Sequence, residues 1–283
     1  MQRFLAVLLA VALALGLAAC GDDDDSGAAG ASSTPATSTT TDLGLKTPGT
    51  LMVASDIPYA PFEFTEPGSD EVKGFDVDLV TAIAATQGID DVQFVDQGFD
   101  SIILSIKQGR FDMSASSWTI TPERAKQVAF GDGYLSANQA ILVQADDDSV
   151  STLDDLQGKT IAAQRGTVGA DLGNTVEGAS VKTYDTGDDA FNALAQGRAD
   201  AAITDFPVVA YAAAQKPTLK VAAEVPGNLE LGLMFPQSNP ALREAFNEGL
   251  AEIRANGTYD EIYSTWFGEA PQGGSSTTGS TTQ

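Results

Sequence analysis

The chain has 283 residues, 43% of them hydrophobic, enough for one large core or two of ordinary size. Fifteen Lys and Arg stand against 39 Asp and Glu with no histidine, a formal net charge of −24. The surplus of carboxylates repels phosphate and argues against a nucleic-acid partner. The missing histidine removes the commonest metal ligand and the base of a Ser-His-Asp hydrolase, so neither a metal nor a cofactor is expected.

Phe4 to Ala19 is an apolar run behind Met1-Gln2-Arg3, shorter than a comfortable membrane span and ending in small residues; it reads as a signal peptide over 1–19. It closes with Leu17-Ala18-Ala19-Cys20-Gly21, which sets the single cysteine of the chain directly after small residues. This resembles the bacterial lipoprotein signal. It implies cleavage before Cys20, lipidation of its thiol, and a membrane anchor on the outer face of the cytoplasmic membrane, extracytoplasmic or periplasmic. From Gly21 to about Thr47 almost no large apolar side chain occurs, so 20–47 is expected to be a lipidated cysteine followed by a disordered tether. The run Asp22 to Asp25 lacks the glycine turn and distal Glu of a cation loop and reads as solvated charge. The tail, 269–283, is expected to be disordered for the same reason as the tether.

Between these ends strands alternate with amphipathic helices, the pattern of βαβ units and an α/β fold. Leu51–Ser55 reads as a strand. Gly74–Gly88 reads as a helix with early acids, which suit its positive end, and a terminal glycine. Asp100-Ser-Ile-Ile-Leu-Ser-Ile-Lys-Gln-Gly-Arg-Phe-Asp112 is echoed by Asp188-Asp-Ala-Phe-Asn-Ala-Leu-Ala-Gln-Gly-Arg-Ala-Asp200 at a constant offset of 88. Each copy predicts a capping Asp, a helix, a glycine stop, then a strand, Met113–Ser117 and Ala201–Asp205. Ser116 thus matches Thr204, and Ser117 matches Asp205. Two similar lobes follow, with the polar pairs beyond the carboxyl ends of strands, where open α/β sheets bind ligands.

Several segments carry a resemblance: Asp56-Ile-Pro-Tyr-Ala-Pro-Phe-Glu-Phe64, Gly74-Phe-Asp-Val-Asp-Leu-Val80, Thr119-Ile-Thr-Pro-Glu-Arg124, Asp154-Asp-Leu-Gln-Gly-Lys159 and Asn256-Gly-Thr-Tyr-Asp-Glu-Ile-Tyr-Ser-Thr-Trp-Phe-Gly268. In this order the chain, from about Leu51 to Gly268, resembles the family 3 solute-binding proteins of polar amino-acid ABC importers. The resemblance implies a two-lobed periplasmic-binding-protein fold of type II, each lobe a mainly parallel sheet flanked by helices. Lobe 1 is expected over 48–134 plus 233–268 and lobe 2 over 135–232, with crossings near Tyr134–Asn138 and Leu229–Leu233. It also implies a monomer that closes on a free amino acid and delivers it to a membrane permease.

A zwitterion needs a cationic fork, a carboxylate and oriented backbone groups. Thr121 can cap a helix with Pro122 at its first position, which projects Arg124 from the first turn; it resembles the family arginine that grips the ligand carboxylate. Pairing with Glu123 or Asp132 is the other role open to it. Asp205 resembles the aspartate that receives the ammonium, and it could also cap the helix at Phe206-Pro207. Thr119 and the backbone at Ser117 complete the shell, and the strand Thr160–Gln164 leads through Arg165-Gly166-Thr167-Val168 into a helix whose N–H groups can meet a carboxylate. Asp56, Tyr59, Phe99 and Trp118 match or neighbour the specificity positions in a set similar to that of lysine/arginine/ornithine and glutamine binders; Ser116-Ser117 is closer to the former, Gln164 is not diagnostic, and Trp118 is bulkier than the aliphatic residue expected there. Two aromatic faces and a carboxylate suit a guanidinium, ammonium or amide, so Arg, Lys or Gln is expected over Glu. An enzyme on this scaffold, resembling cyclohexadienyl dehydratases, and a sensor lipoprotein are the rival readings.

Overall fold

The computed structural model describes residues 42–268, so the expected signal peptide, Cys20, the first part of the tether and the tail lie outside the described residues. The ordered body begins earlier than the composition predicts. Leu43 is buried in the core, and the Lys46 N–H donates to Asp112 Oδ1 at 2.7 Å. Two leucines, Leu43 and Leu45, are enough to dock a segment that otherwise reads as tether.

In chain order the elements are β1 (Thr50–Ser55), β2 (Phe64–Thr65), β3 (Val72–Lys73), α1 (Phe75–Thr86), β4 (Asp91–Asp96), α2 (Phe99–Lys107), β5 (Met113–Ser114), α3 (Pro122–Ala125), β6 (Ala129–Ser136) and β7 (Gln139–Gln144). They continue with β8 (Thr160–Gln164), α4 (Val168–Asn174), β9 (Ser180–Tyr184), α5 (Gly187–Ala195), β10 (Ala201–Asp205), α6 (Phe206–Gln215), β11 (Leu219–Val225), β12 (Glu230–Phe235), α7 (Pro240–Ala255) and α8 (Thr258–Phe267). Two five-stranded sheets result, ordered β4-β1-β5-β12-β6 and β9-β8-β10-β7-β11. They share one topology: the fourth strand runs antiparallel to its neighbours and enters from the other sheet. The chain crosses between β6 and β7, and again between β11 and β12. The second crossing lies at 226–229, before the expected Leu229–Leu233, because Glu230 pairs with Ser136 and the buried Leu231 with Leu135 in the first sheet.

The echoed segments play equivalent parts. Gly109 (φ 64) and Gly197 (φ 68) both stop their helices in the left-handed region. Asp112 then donates its N–H to Met52 O at 3.0 Å and accepts from the Met52 N–H at 2.8 Å. Asp200 likewise donates to Thr160 O at 2.8 Å and accepts from the Thr160 N–H at 2.7 Å. The helix starts differ from expectation. Gly98 precedes α2 without a side-chain cap, and Thr186, not Asp188, caps α5 by accepting the Asp189 N–H. The strand expected over Met113–Ser117 stops at Ser114, since Ser117 turns to φ 47, outside the extended region.

Helix α1 buries Phe75, Asp76, Leu79, Val80, Ile83 and Ala84, one stripe at helical spacing. It starts where only glycine fits: a Cβ on Gly74 (φ 142) would lie 2.0 Å from Phe62 O. The aromatic rings of α8 seal this end, with Tyr259, Tyr263 and Phe267 all packed around Phe75. Among the described residues no helix is long and apolar enough to cross a membrane.

Candidate functional site: a cleft between two sheets

The carboxyl ends of β1 and β5 in the first sheet face those of β8 and β10 in the second. Between them lies a narrow cavity of about 10 Å³, room for about one water, so the two walls stand nearly in contact. It is lined from the first side by Tyr59, Phe99, Ser116, Ser117, Thr119 and Arg124. Gln164, Thr167, Val168 and Asp205 line it from the second.

Arg124 is placed by its own helix. Thr121 accepts the Arg124 N–H at 3.2 Å, and Pro122 opens α3. Arg124, 8% exposed, lays its guanidinium over the rings of Trp118 (5.0 Å) and Phe99 (5.6 Å), which stack on each other at 4.2 Å. It donates to Thr119 O at 2.8 Å and, across the cleft, to Gly166 O at 3.0 Å. No ion pair joins it to Glu123 or Asp132 among the described residues. Burial lowers its pKa, and the Asp205 carboxylate opposes that shift.

Asp205 ends β10 at the start of α6 without capping it through its side chain. Its oxygens instead accept from Tyr59 Oη at 2.7 Å and Gln139 Nε2 at 2.6 Å. Burial raises its pKa, with these two bonds and Arg124 acting against it. Tyr59 therefore ties the walls together, since its hydroxyl also meets Thr204 Oγ1 at 2.7 Å.

Asp56 lies beside the cavity rather than on its surface. Gln164 Nε2 reaches across the cleft to donate to Asp56 Oδ2 at 2.6 Å, and burial pushes the carboxyl up to about 6, against the pull of that bond. Trp118 also lies off the cavity surface. It is 1% exposed, donates Nε1–H to Ser114 Oγ at 2.8 Å, and forms the floor under Phe99 and Arg124. Its bulk is thus used for packing.

Residues 51–269 match the model of the bacterial extracellular solute-binding proteins, family 3. The chain belongs to this family. It is 37% identical over 216 residues to ABC transporter arginine-binding protein 1 of Escherichia coli K12, covering 74% of this chain and 87% of that protein. Among solved structures it is similar to an ancestral arginine-binding protein bound to glutamine, with 38% identity, a TM-score of 0.75, and 78% of this chain and 99% of that one covered. The same kind of protein bound to arginine gives 37% identity, a TM-score of 0.75 and the same coverage. An ancestral amino acid-binding protein, a precursor of cyclohexadienyl dehydratase, is 36% identical with a TM-score of 0.71, covering 78% of this chain and 96% of its own.

Within this solute-binding fold the cleft also uses residues that sequence reasoning passed over. Gln139, Thr204 and Gly169 line it. Gln139 opens β7 directly after the first crossing and pairs in register with Asp205, a neighbourhood created by topology alone. Thr204 carried a signal, its match to Ser116 in the echo. Among the described residues no group of three or more His, Cys, Asp or Glu is placed to hold a metal ion.

Proposed function

We propose that this chain is the extracytoplasmic substrate-binding component of an amino-acid ABC importer, taking a polar or cationic L-amino acid, with Arg, Lys and Gln favoured. One observation carries the reading: Arg124 and Asp205, opposite charges from opposite walls, line the same small cavity. Arg124 takes the ligand carboxylate, and Asp205 takes the ammonium with help from Thr119 and the Ser117 backbone. The side chain extends toward Phe99, Tyr59 and the Asp56–Gln164 pair. A ligand held by both walls favours the closed form by differential affinity. The relatives that bind arginine, and the ancestral structure that holds glutamine, support the choice of side chain. Calorimetry against a panel of amino acids tests it: Arg, Lys or Gln binds tightest with compaction in solution scattering, and a win for Glu or an apolar amino acid overturns the selectivity.

The likeness to a dehydratase precursor motivates a second assay, on prephenate and arogenate, where binding without turnover is expected. The anchor reading rests on Cys20 after Ala18 and Ala19. It expects radiolabelled fatty acid on the full chain and its loss, with release from the membrane, in Cys20→Ser.

A further inference from the structure

Two carboxyl groups behind the cleft take no part in the ligand reading or in any ion pair among the described residues. Glu63 and Asp76 are both 0% exposed. Each gives one oxygen to a serine of the cleft wall. Ser116 Oγ donates to Glu63 Oε1 at 2.8 Å, and the same Ser116 Oγ accepts the Asp56 N–H at 3.0 Å. The Ser117 N–H donates to Asp76 Oδ2 at 3.0 Å, alongside Tyr134 Oη at 2.9 Å. The remaining oxygens, Glu63 Oε2 and Asp76 Oδ1, are buried with no hydrogen-bond partner among the described residues, as is Ser117 Oγ. The two segments touch, since the Asp76 N–H donates to Phe62 O at 3.0 Å.

Among the described residues no cation pairs with either carboxyl. The charged groups that act most on it are Asp56, Asp205 and its own two members, all acidic, and the phenols facing the same space are Tyr134 and Tyr59. Arg124, the cation of this wall, responds to Asp205 and Asp171. Two ionised carboxylates buried within reach of each other's charge repel and can only accept hydrogen bonds, whereas a proton on one removes the repulsion and leaves the other to carry the charge.

We propose that Glu63 and Asp76 share a proton beneath the Ser116–Ser117 turn and are positioning residues for the amino acid, the charge on Asp76 fixing Ser117. The proposal rests on the reading of the cleft as an amino-acid site. Glu63 is the carrier, because burial and then the neighbouring Asp76 push its carboxyl well above the usual range. Asp76 is pushed up to about 7 by burial, against its bonds from Ser117 and Tyr134, so it gains its charge as pH rises through about 7. Charged, it holds the Ser117 N–H in a charge-assisted bond, fixes the left-handed turn, and adds negative potential on the side that faces Asp205 and the ligand ammonium. Protonated, it loses both effects. Affinity therefore rises with pH through that range, and binding releases protons.

The test uses the full chain. Calorimetry with L-arginine and L-glutamine, in buffers of different ionisation enthalpy, should show affinity rising roughly threefold to tenfold across neutral pH with net proton release. L-Glutamine separates this step from any effect of Asp56 on a cationic side chain. Asp76→Asn should flatten the profile, and Tyr134→Phe should move its midpoint upward, because Asp76 then loses a donor to its charged form. An infrared carbonyl band of a buried protonated carboxyl should persist above neutral pH, where Asp76 is charged, without any ligand, and vanish there in Glu63→Gln. Absence of that band, or a wild-type pH profile in Asp76→Asn or Tyr134→Phe, overturns the proposal. Failure of both amino acids to bind, with the band present, sinks the ligand reading and the positioning role while leaving the shared proton in place.

Discussion

The two sheets approach the cleft through the same run of residues: a helix, a left-handed glycine, an arginine, and an aspartate that clamps the neighbouring strand. Beyond the clamp they part. In the second sheet β10 continues for five residues and delivers Asp205 at its tip, directly into α6. In the first, β5 pairs for two residues and gives way to the Ser117 turn, and the chain runs on to Arg124 on a helix of its own. A repeated frame has thus been given opposite charges at its two tips, a carboxylate held by a strand and a guanidinium laid on stacked aromatics. A zwitterion needs that difference. Two identical tips would repel one end of it.

Removing one tip tests the comparison most severely. Arg124→Ala takes away a buried fork and leaves Thr119 O and Gly166 O without a donor, so amino-acid binding should weaken by about 3–5 kcal/mol. Arg124→Lys should recover only part of this, because an ammonium cannot reproduce a planar two-point grip. Calorimetry reads both, and an Arg124→Ala protein that binds as wild type does removes the carboxylate from this wall. On the other side Asp205→Asn should cost about 2–3 kcal/mol of binding. Its partners Tyr59 and Gln139 keep one acceptor, so the fold should survive with a small change in melting temperature.

The shared part of the frame is not equally buried on the two sides. Asp112 is 1% exposed and accepts from two backbone N–H groups, Lys46 and Met52; Asp200 is exposed and accepts from one, Thr160. Asp112→Asn should therefore destabilise the protein by about 2 kcal/mol, and Asp200→Asn by about 0.5–1 kcal/mol, in urea unfolding. Equal losses would mean that burial of the clamp has no influence.

Much of this was legible in the sequence because it is local. The Thr121-Pro122 start, the glycine stops and the alternation of strand with helix are written within a few residues of where they act. The residues that were missed act through distance. Gln139 meets Asp205 only because two strands on either side of a crossing pair in register, and Glu63 reaches Ser116 from 53 positions away. The misplaced caps have a different cause. Asp100 and Asp188 have the chemistry of a cap, but the chain enters α2 and α5 two residues earlier, through Gly98 and Thr186, so both acids fall inside the first turn. Trp118 looked like pocket lining from its neighbours in sequence, yet its indole N–H finds Ser114 and turns the ring beneath Phe99.

Asp56 gives the sharpest contrast, since the fold and the ligand want opposite states of it. Its carboxyl is raised from 3.8 to about 6 in the folded chain, and that of Asp76 from 3.8 to about 7. The native protein therefore holds more protons than the unfolded chain between about pH 4 and the raised values. Its stability falls as pH climbs through that window, so the melting temperature of the ligand-free protein should be higher near pH 5 than near pH 8. A guanidinium at the same place prefers the ionised carboxylate, so affinity for L-arginine should climb through about pH 6. Asp56→Asn should reduce L-arginine binding roughly tenfold, or about 1.4 kcal/mol, while L-glutamine, which carries no charge there, changes little. Stability and arginine affinity moving in the same direction with pH would place the cationic side chain away from Asp56 and leave Gln164, its partner across the cleft, as nothing more than a latch between the sheets.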